Sequence, residues 1–214
     1  MTATLLRVHS VVLVGVPLDY YSHTLSQRAI MLQAREEHLC KTIVLENRAA
    51  AEAGVDGAPR FVMVVLQYVA KLDLVALAKA LRHAVTPPLP KSAIRLCVGD
   101  EVECTTMTGF IRNAICPFGS LATLPVRPWF PPRLHRLVRL VRNHHCPGMV
   151  CGCNSQVVVS SAASKVWPPV LWLGGGQVDV KLRVPIPQLI AKLHASVVDC
   201  TTLREAADST DDEL

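Results

Sequence analysis

LWLGGGQVDVKL, residues 171–182, reads as strand, glycine turn, strand. Val170–Leu173 is a short apolar run that includes Trp172. After the turn, Val178, Val180 and Leu182 alternate with Gln177, Asp179 and Lys181, which predicts a strand with one buried and one polar face. Between the two lie Gly174, Gly175 and Gly176. Three consecutive glycines permit positive φ and let a second backbone or a ligand approach with no Cβ in the way. A tight hairpin and a glycine wall lining a pocket are both compatible with this run.

The rest of the chain supplies elements around that hairpin. Val11–Leu18 is too short to span a membrane, lacks a small-residue cleavage site and reads as a strand. Thr24–Ala34 reads as a helix with Ser22 as its N-cap. Lys41–Leu45 (KTIVL) is a β-branched strand, and Ala49–Pro59 reads as a glycine-bearing loop. Phe61–Val69 is an almost unbroken apolar run, as expected of a central strand covered on both faces. Asp73 caps a helix with Leu74, Leu77, Ala78 and Leu81 at helical spacing. Ala93–Val98 reads as a strand, and Asp100 caps a helix over Glu101–Met107 that Gly109 ends. Leu124–Val126 and Gln156–Val159 are further short strands. Gln188–His194 is a last helix, and Val197–Cys200 a final strand or tail anchor. These elements predict a mixed α/β (α+β) domain, a curved and mostly antiparallel mixed sheet of about six or more strands with packed helices.

Composition narrows the partners. The formal net charge is +5, but Arg204–Leu214 holds five acids and one arginine. Removing them from the 22 basic and 17 acidic residues leaves 21 against 12, a body of net +9 that favours an anionic partner such as RNA. No apolar run reaches membrane-spanning length, so no membrane association is expected. The eight cysteines show no regular disulfide spacing, which fits free thiols and a cytoplasmic protein. His144, His145, Cys146, Cys151 and Cys153 cluster in Asn143–Pro169, but no C-x-x-C knuckle accompanies them, and neither a metal nor another cofactor is expected.

Arg133, Arg136, Arg139 and Arg142 recur on a segment with apolar residues at Leu134, Leu137, Val138 and Val141, so one helix side is basic. A solvated face and a contact with nucleic-acid phosphates are equally compatible with it. Cys116 precedes Pro117 and reads as a buried small residue, with no paired His or Asp to activate it.

Four stretches, taken in order, resemble the YbaK/prolyl-tRNA deacylase family of aminoacyl-tRNA editing domains, and its small eukaryotic branch most closely. They are HLCKTIVLEN at 38–47, LDLVALAKAL at 72–81, MTGFIRNAICPFG at 107–119 and WLGGGQVDVKL at 172–182. The resemblance covers roughly residues 15–200. It implies one editing domain over residues 1–203, an insertion at about 143–169 and an acidic disordered tail over 204–214.

It also implies a function, the hydrolysis of the ester joining a wrong small amino acid to the 3′-terminal ribose of tRNA, most often the tRNA for proline. The alternative is a non-catalytic tRNA-binding or synthetase-associated module. By resemblance Lys41 is the essential lysine, and Tyr20 borders the aminoacyl pocket. The loop T-G-[FY]-x-x-G-x-I-x-P-x-G is matched at Thr108, Gly109, Phe110, Ile115, Pro117 and Gly119. Asn113 and Ala114 stand where the bacterial pattern has glycines or close variants. Gly174–Gly176 would give the terminal nucleotide close access, while Asp179 would accept a hydroxyl hydrogen bond or pair with a lysine. The implied partners are the tRNA acceptor end and an aminoacyl-tRNA synthetase.

Overall fold

The computed structural model describes residues 11–53, 57–119 and 155–204. Three sheets make up its mixed α+β architecture. The five-stranded sheet contains β2 (Cys40–Asn47), β3 (Phe61–Gln67), β5 (Leu96–Val98), β6 (Ser155–Ser160) and β9 (Ser196–Val198), in the order β5-β2-β3-β6-β9. The three-stranded sheet has β1 (Val12–Gly15), β8 (Val180–Pro185) and β7 (Val170–Gly174), in the order β1-β8-β7. A two-stranded ribbon joins β4 (Ala70–Leu72) to β10 (Thr201–Leu203). Among the described residues five of the seven ladders are antiparallel, and β3–β6 and β6–β9 are parallel.

β3 explains the layering. All seven of its residues are buried, as its continuous apolar run requires. Phe61, Met63 and Val65 face one core with β7, β8 and the helix α5 (Ile186–Leu193). Val62, Val64 and Leu66 face a second core with Leu77 and Leu81 of α3 (Leu74–His83). The polar exception at the strand end is satisfied, because Gln67 Nε2 donates to the Glu37 carbonyl at 2.7 Å. A third cluster of Tyr20, Ala29, Leu32, Leu39 and Trp172 sits where a Leu39–Trp172 bridge brings the head of β2 beside β7.

Several element ends differ from expectation for identifiable reasons. Thr24, not Ser22, caps α1 (Leu25–Met31), because only Thr24 has a Gln three residues on. Gln27 Oε1 accepts from the Thr24 N–H at 2.9 Å, completing a capping box. The expected loop after β2 begins as a helix, α2 (Arg48–Ala53), whose alanines and Glu52 favour helix. A 3₁₀ turn at Lys91–Ala93 shortens the following strand to Leu96–Val98. Gln156–Val159, expected as a local strand, lies in β6 between β3 and β9. Asp73 and Asp100 cap α3 and α4 (Glu101–Thr108), and Gly109 ends α4 in the left-handed conformation at φ 77°. Leu124–Val126 lies outside the described residues, as does most of the acidic tail.

Asn47 ties the chain after α3 to β2. It is fully buried; its Nδ2 donates to the Ala93 carbonyl at 2.9 Å and its Oδ1 accepts from the Arg95 N–H at 2.8 Å. Asn47→Ala strands both backbone groups and should lower unfolding free energy by about 3 kcal/mol in urea denaturation. Asp73→Ala, which removes only a cap, should lower it by about 1 kcal/mol.

Candidate functional site

A cavity of about 260 Å³ opens where the head of β2 meets the end of β7, the start of α4 and the loop after it. Cys40 to Val44 form one wall, and Gly99, Glu101, Cys104 and Thr105 a second. Phe110, Arg112, Asn113 and Ile115 form the third, with Gly174, Tyr21 and Tyr68 closing it. Lys41, Asn113 and Gly174 of the predicted site residues therefore line one cavity.

The glycine run is a hairpin turn that also admits a second backbone, and that backbone is the chain's own. A Cβ on Gly174 would lie 2.6 Å from the Ile115 carbonyl oxygen. A Cβ on Gly175 would lie 2.7 Å from a Val180 methyl. Gly176 has φ 93°, and its N–H donates to the Ala114 carbonyl at 3.1 Å. The loop over 113–115 is thus pressed onto the end of β7, and Ala114 is fully buried beneath it.

The other predicted residues support this wall or stand behind it. Thr108 Oγ1 donates to the Cys104 carbonyl at 2.7 Å and accepts from the Phe110 N–H at 3.1 Å, which shapes the turn with Gly109. Gly119 takes φ 77° beside the Phe110 ring. Tyr20 is buried in the third cluster, and it is Tyr21 that lines the cavity. The Asp179 carbonyl accepts from the Val16 N–H at 2.7 Å, outside the cavity lining. Arg133, Arg136, Arg139 and Arg142 lie outside the described residues, as does the cluster from His144 to Cys153.

Sequence reasoning missed several wall residues. Tyr68 follows β3 as a polar exception in an apolar run, which is the signal it leaves. Thr42 follows Lys41, and its Oγ1 is buried without a hydrogen-bond partner among the described residues, so a polar group entering the cavity gains one there. Lys181 was expected on the polar face of its strand. It is only 4% exposed, because the Tyr20 and Tyr21 rings cover that face of β8 at Lys181.

The cavity thiols are poorly suited to nucleophilic attack. Burial pushes Cys40 far above the usual thiol range. Burial, then Glu103 and other nearby acids, push Cys104 up to about 11. Cys116 lies outside the lining and is also raised by burial. Among the described residues no histidine lines the cavity, and Glu101 is its one carboxylate. No group of three or more His, Cys, Asp or Glu there is placed to hold a metal ion. The walls present a lysine, hydroxyls and backbone groups to the cavity, with no activated nucleophile among its described lining residues.

No protein-family model matches the chain, and no curated protein matches it significantly. Solved structures do match its fold. A candidate trans-editing enzyme for prolyl tRNA synthetase aligns with a TM-score of 0.57 at 16% identity, over 90% of this chain and 87% of that one. A protein from work on grafting linear epitopes onto scaffolds by computational design aligns at 0.58 and 14% identity, over 90% and 86%. A hypothetical protein aligns at 0.55 and 15% identity, over 90% and 92%. The chain therefore has the fold of a structure class that includes an editing-like protein. No described helix is long and apolar enough to cross a membrane.

Cys104 gives a test of this electrostatic picture. At pH 7 its thiolate population should be roughly 100-fold below that of an ordinary thiol. Iodoacetamide labelling followed by mass spectrometry should be correspondingly slow, rising about tenfold per pH unit until the pH approaches 11.

Proposed function

We propose that this protein hydrolyses the ester between a wrong small amino acid and the 3′-terminal ribose of a tRNA, the tRNA for proline being the first candidate. The observation that carries the reading is the meeting of Lys41, Asn113 and Gly174 in one cavity, from three segments far apart in sequence. The fold shared with a candidate trans-editing enzyme and the basic body of the chain support it.

In the proposed reaction the Lys41 ammonium holds the terminal nucleotide or polarises the ester carbonyl. Water attacks the carbonyl carbon, and its oxygen forms the new C–O bond. The ester C–O bond to the ribose breaks, and a proton passes to the departing ribose oxygen. The products are a free amino acid and a tRNA with its hydroxyl restored. The neighbouring ribose hydroxyl and backbone groups of the wall orient the water, so no protein nucleophile is required. The cavity volume limits which amino acids enter. A synthetase that delivers the mischarged tRNA is the natural protein partner of such an activity.

Deacylation of alanyl-, cysteinyl- and seryl-tRNA for proline tests the reading. The native protein should turn over at least one of them, and Lys41→Ala should lower that rate by at least about 100-fold. Turnover unchanged in Lys41→Ala would remove this lysine from the site. Tight tRNA binding with no hydrolysis of any ester would replace the enzyme with a tRNA-binding module.

A further inference from the structure

Behind the cavity wall lies a pair of buried cations that the proposed hydrolysis does not use. Lys181 of β8 is 4% exposed and Arg28 of α1 is 1% exposed. The Lys181 ammonium sits 4.7 Å and 4.2 Å from the ring centroids of Tyr20 and Tyr21. The Arg28 guanidinium sits 6.0, 5.8 and 4.9 Å from those of Tyr20, Tyr21 and Tyr68. Two like charges removed from water repel each other. Taking a charge out of water is costly and is weak evidence for a stabilising role, so a buried lysine here calls for a reason other than stability.

Its hydrogen bonds supply one. Lys181 Nζ donates to the Tyr21 hydroxyl at 2.7 Å and to the Val178 carbonyl at 3.3 Å. The Tyr21 hydroxyl in turn donates to the Asn113 carbonyl at 2.7 Å. Tyr21 and Asn113 line the cavity, and Lys181 does not. Asn113 is held at φ 66°, a left-handed conformation that its surroundings must maintain. Burial pushes the Tyr21 phenol far above its ordinary range, so it stays protonated and remains a donor. An ammonium donating to that oxygen strengthens the next bond in the chain.

We propose that Lys181 is a positioning residue for the cavity, acting through the Tyr21 hydroxyl to fix the Asn113 wall against which the bound ester is aligned. The part of this that concerns catalysis rests on the deacylase reading above.

The charge on Lys181 is the variable part of this chain of bonds. Facing it are Arg28 from α1, Asp179 and the Val178 carbonyl from the turn before β8, Tyr20 and Tyr21 from the turn before α1, and Tyr68 behind them. Burial first, then Arg28, bring Lys181 down to about 8, against the opposite pull of Asp179. As pH rises through about 8 the ammonium loses its proton and the bond to Tyr21 loses its charge assistance. The unfolded chain holds that proton up to the ordinary lysine range, so burial of the charge opposes folding below about pH 8 and this opposition fades above it.

The test follows the 13C shift of the Asn113 carbonyl from about pH 6 to about pH 10 in the full chain, in the native protein, Lys181→Met and Tyr21→Phe. The native carbonyl should titrate with a midpoint near 8, and neither variant should show that midpoint. Lys181→Met should melt at pH 7 no lower than the native protein. On a mischarged tRNA its kcat should fall at least about tenfold, with KM within about twofold. A native carbonyl that does not titrate, or one that titrates alike in Lys181→Met, overturns the proposal. So does a Lys181→Met variant with unchanged kcat. A relay that titrates as expected in a protein with no turnover overturns the deacylase reading and supports the Lys181–Asn113 link by itself.

Discussion

The approach of the 113–115 loop to the end of β7 is the contact on which the rest of the site depends. Without a side chain at Gly174, the Ile115 carbonyl comes closer than any Cβ would allow, and Gly176 closes the approach by donating to Ala114. This joins the three-stranded sheet to the α4 turn. The Leu39–Trp172 bridge brings the head of β2, with Lys41, to the same place. Two backbone contacts therefore assemble a cavity from segments that share no sheet register. The glycines matter first as a joint within the protein, and Gly174 also faces the space that the joint encloses.

Around that joint the polar groups are divided by burial. Exposed and half-exposed charges such as Lys41, Glu101 and Arg112 stand at the cavity. Arg28 and Lys181 lie behind it in an aromatic enclosure, where a buried charge is costly. Burial also raises Tyr20, Tyr21, Cys40 and Cys104, keeping these phenols and thiols protonated. The result is a wall of hydrogen-bond donors with little intrinsic nucleophilicity.

How much of this was legible in the sequence depended on whether the signal was local. Asp73, Asp100 and Gly109 announce helix ends through their own hydrogen bonds and φ preferences, and each stands where it was read. The continuous apolar run of β3 fixed its burial on both faces. Lys41 and the glycine hairpin were visible as motifs. Lys181 was not, because alternation separates the two faces of a strand without telling whether both are covered, and here the Tyr20 and Tyr21 rings cover the second. Which of Tyr20 and Tyr21 reaches the cavity, and that Thr42 lines it, depends on contacts with distant segments, which no local pattern encodes. Gln156–Val159 looked peripheral because its partners, β3 and β9, lie far along the chain.

That last placement has a consequence for how the chain acquires its fold during synthesis. β2 and β3 can pair soon after both have emerged, but the other edge of β3 must wait for β6, with Phe61 opposite Ser155 and Val65 opposite Val159. Until then a nearly all-apolar strand presents an unpaired edge, the kind of surface on which nascent chains associate wrongly. Parallel pairing over so long a separation is also intrinsically slow, since the entropy of closing the loop is lost before the new contacts form. The architecture that brings the cavity walls together thus leaves the β3 edge unpaired until β6 has been made.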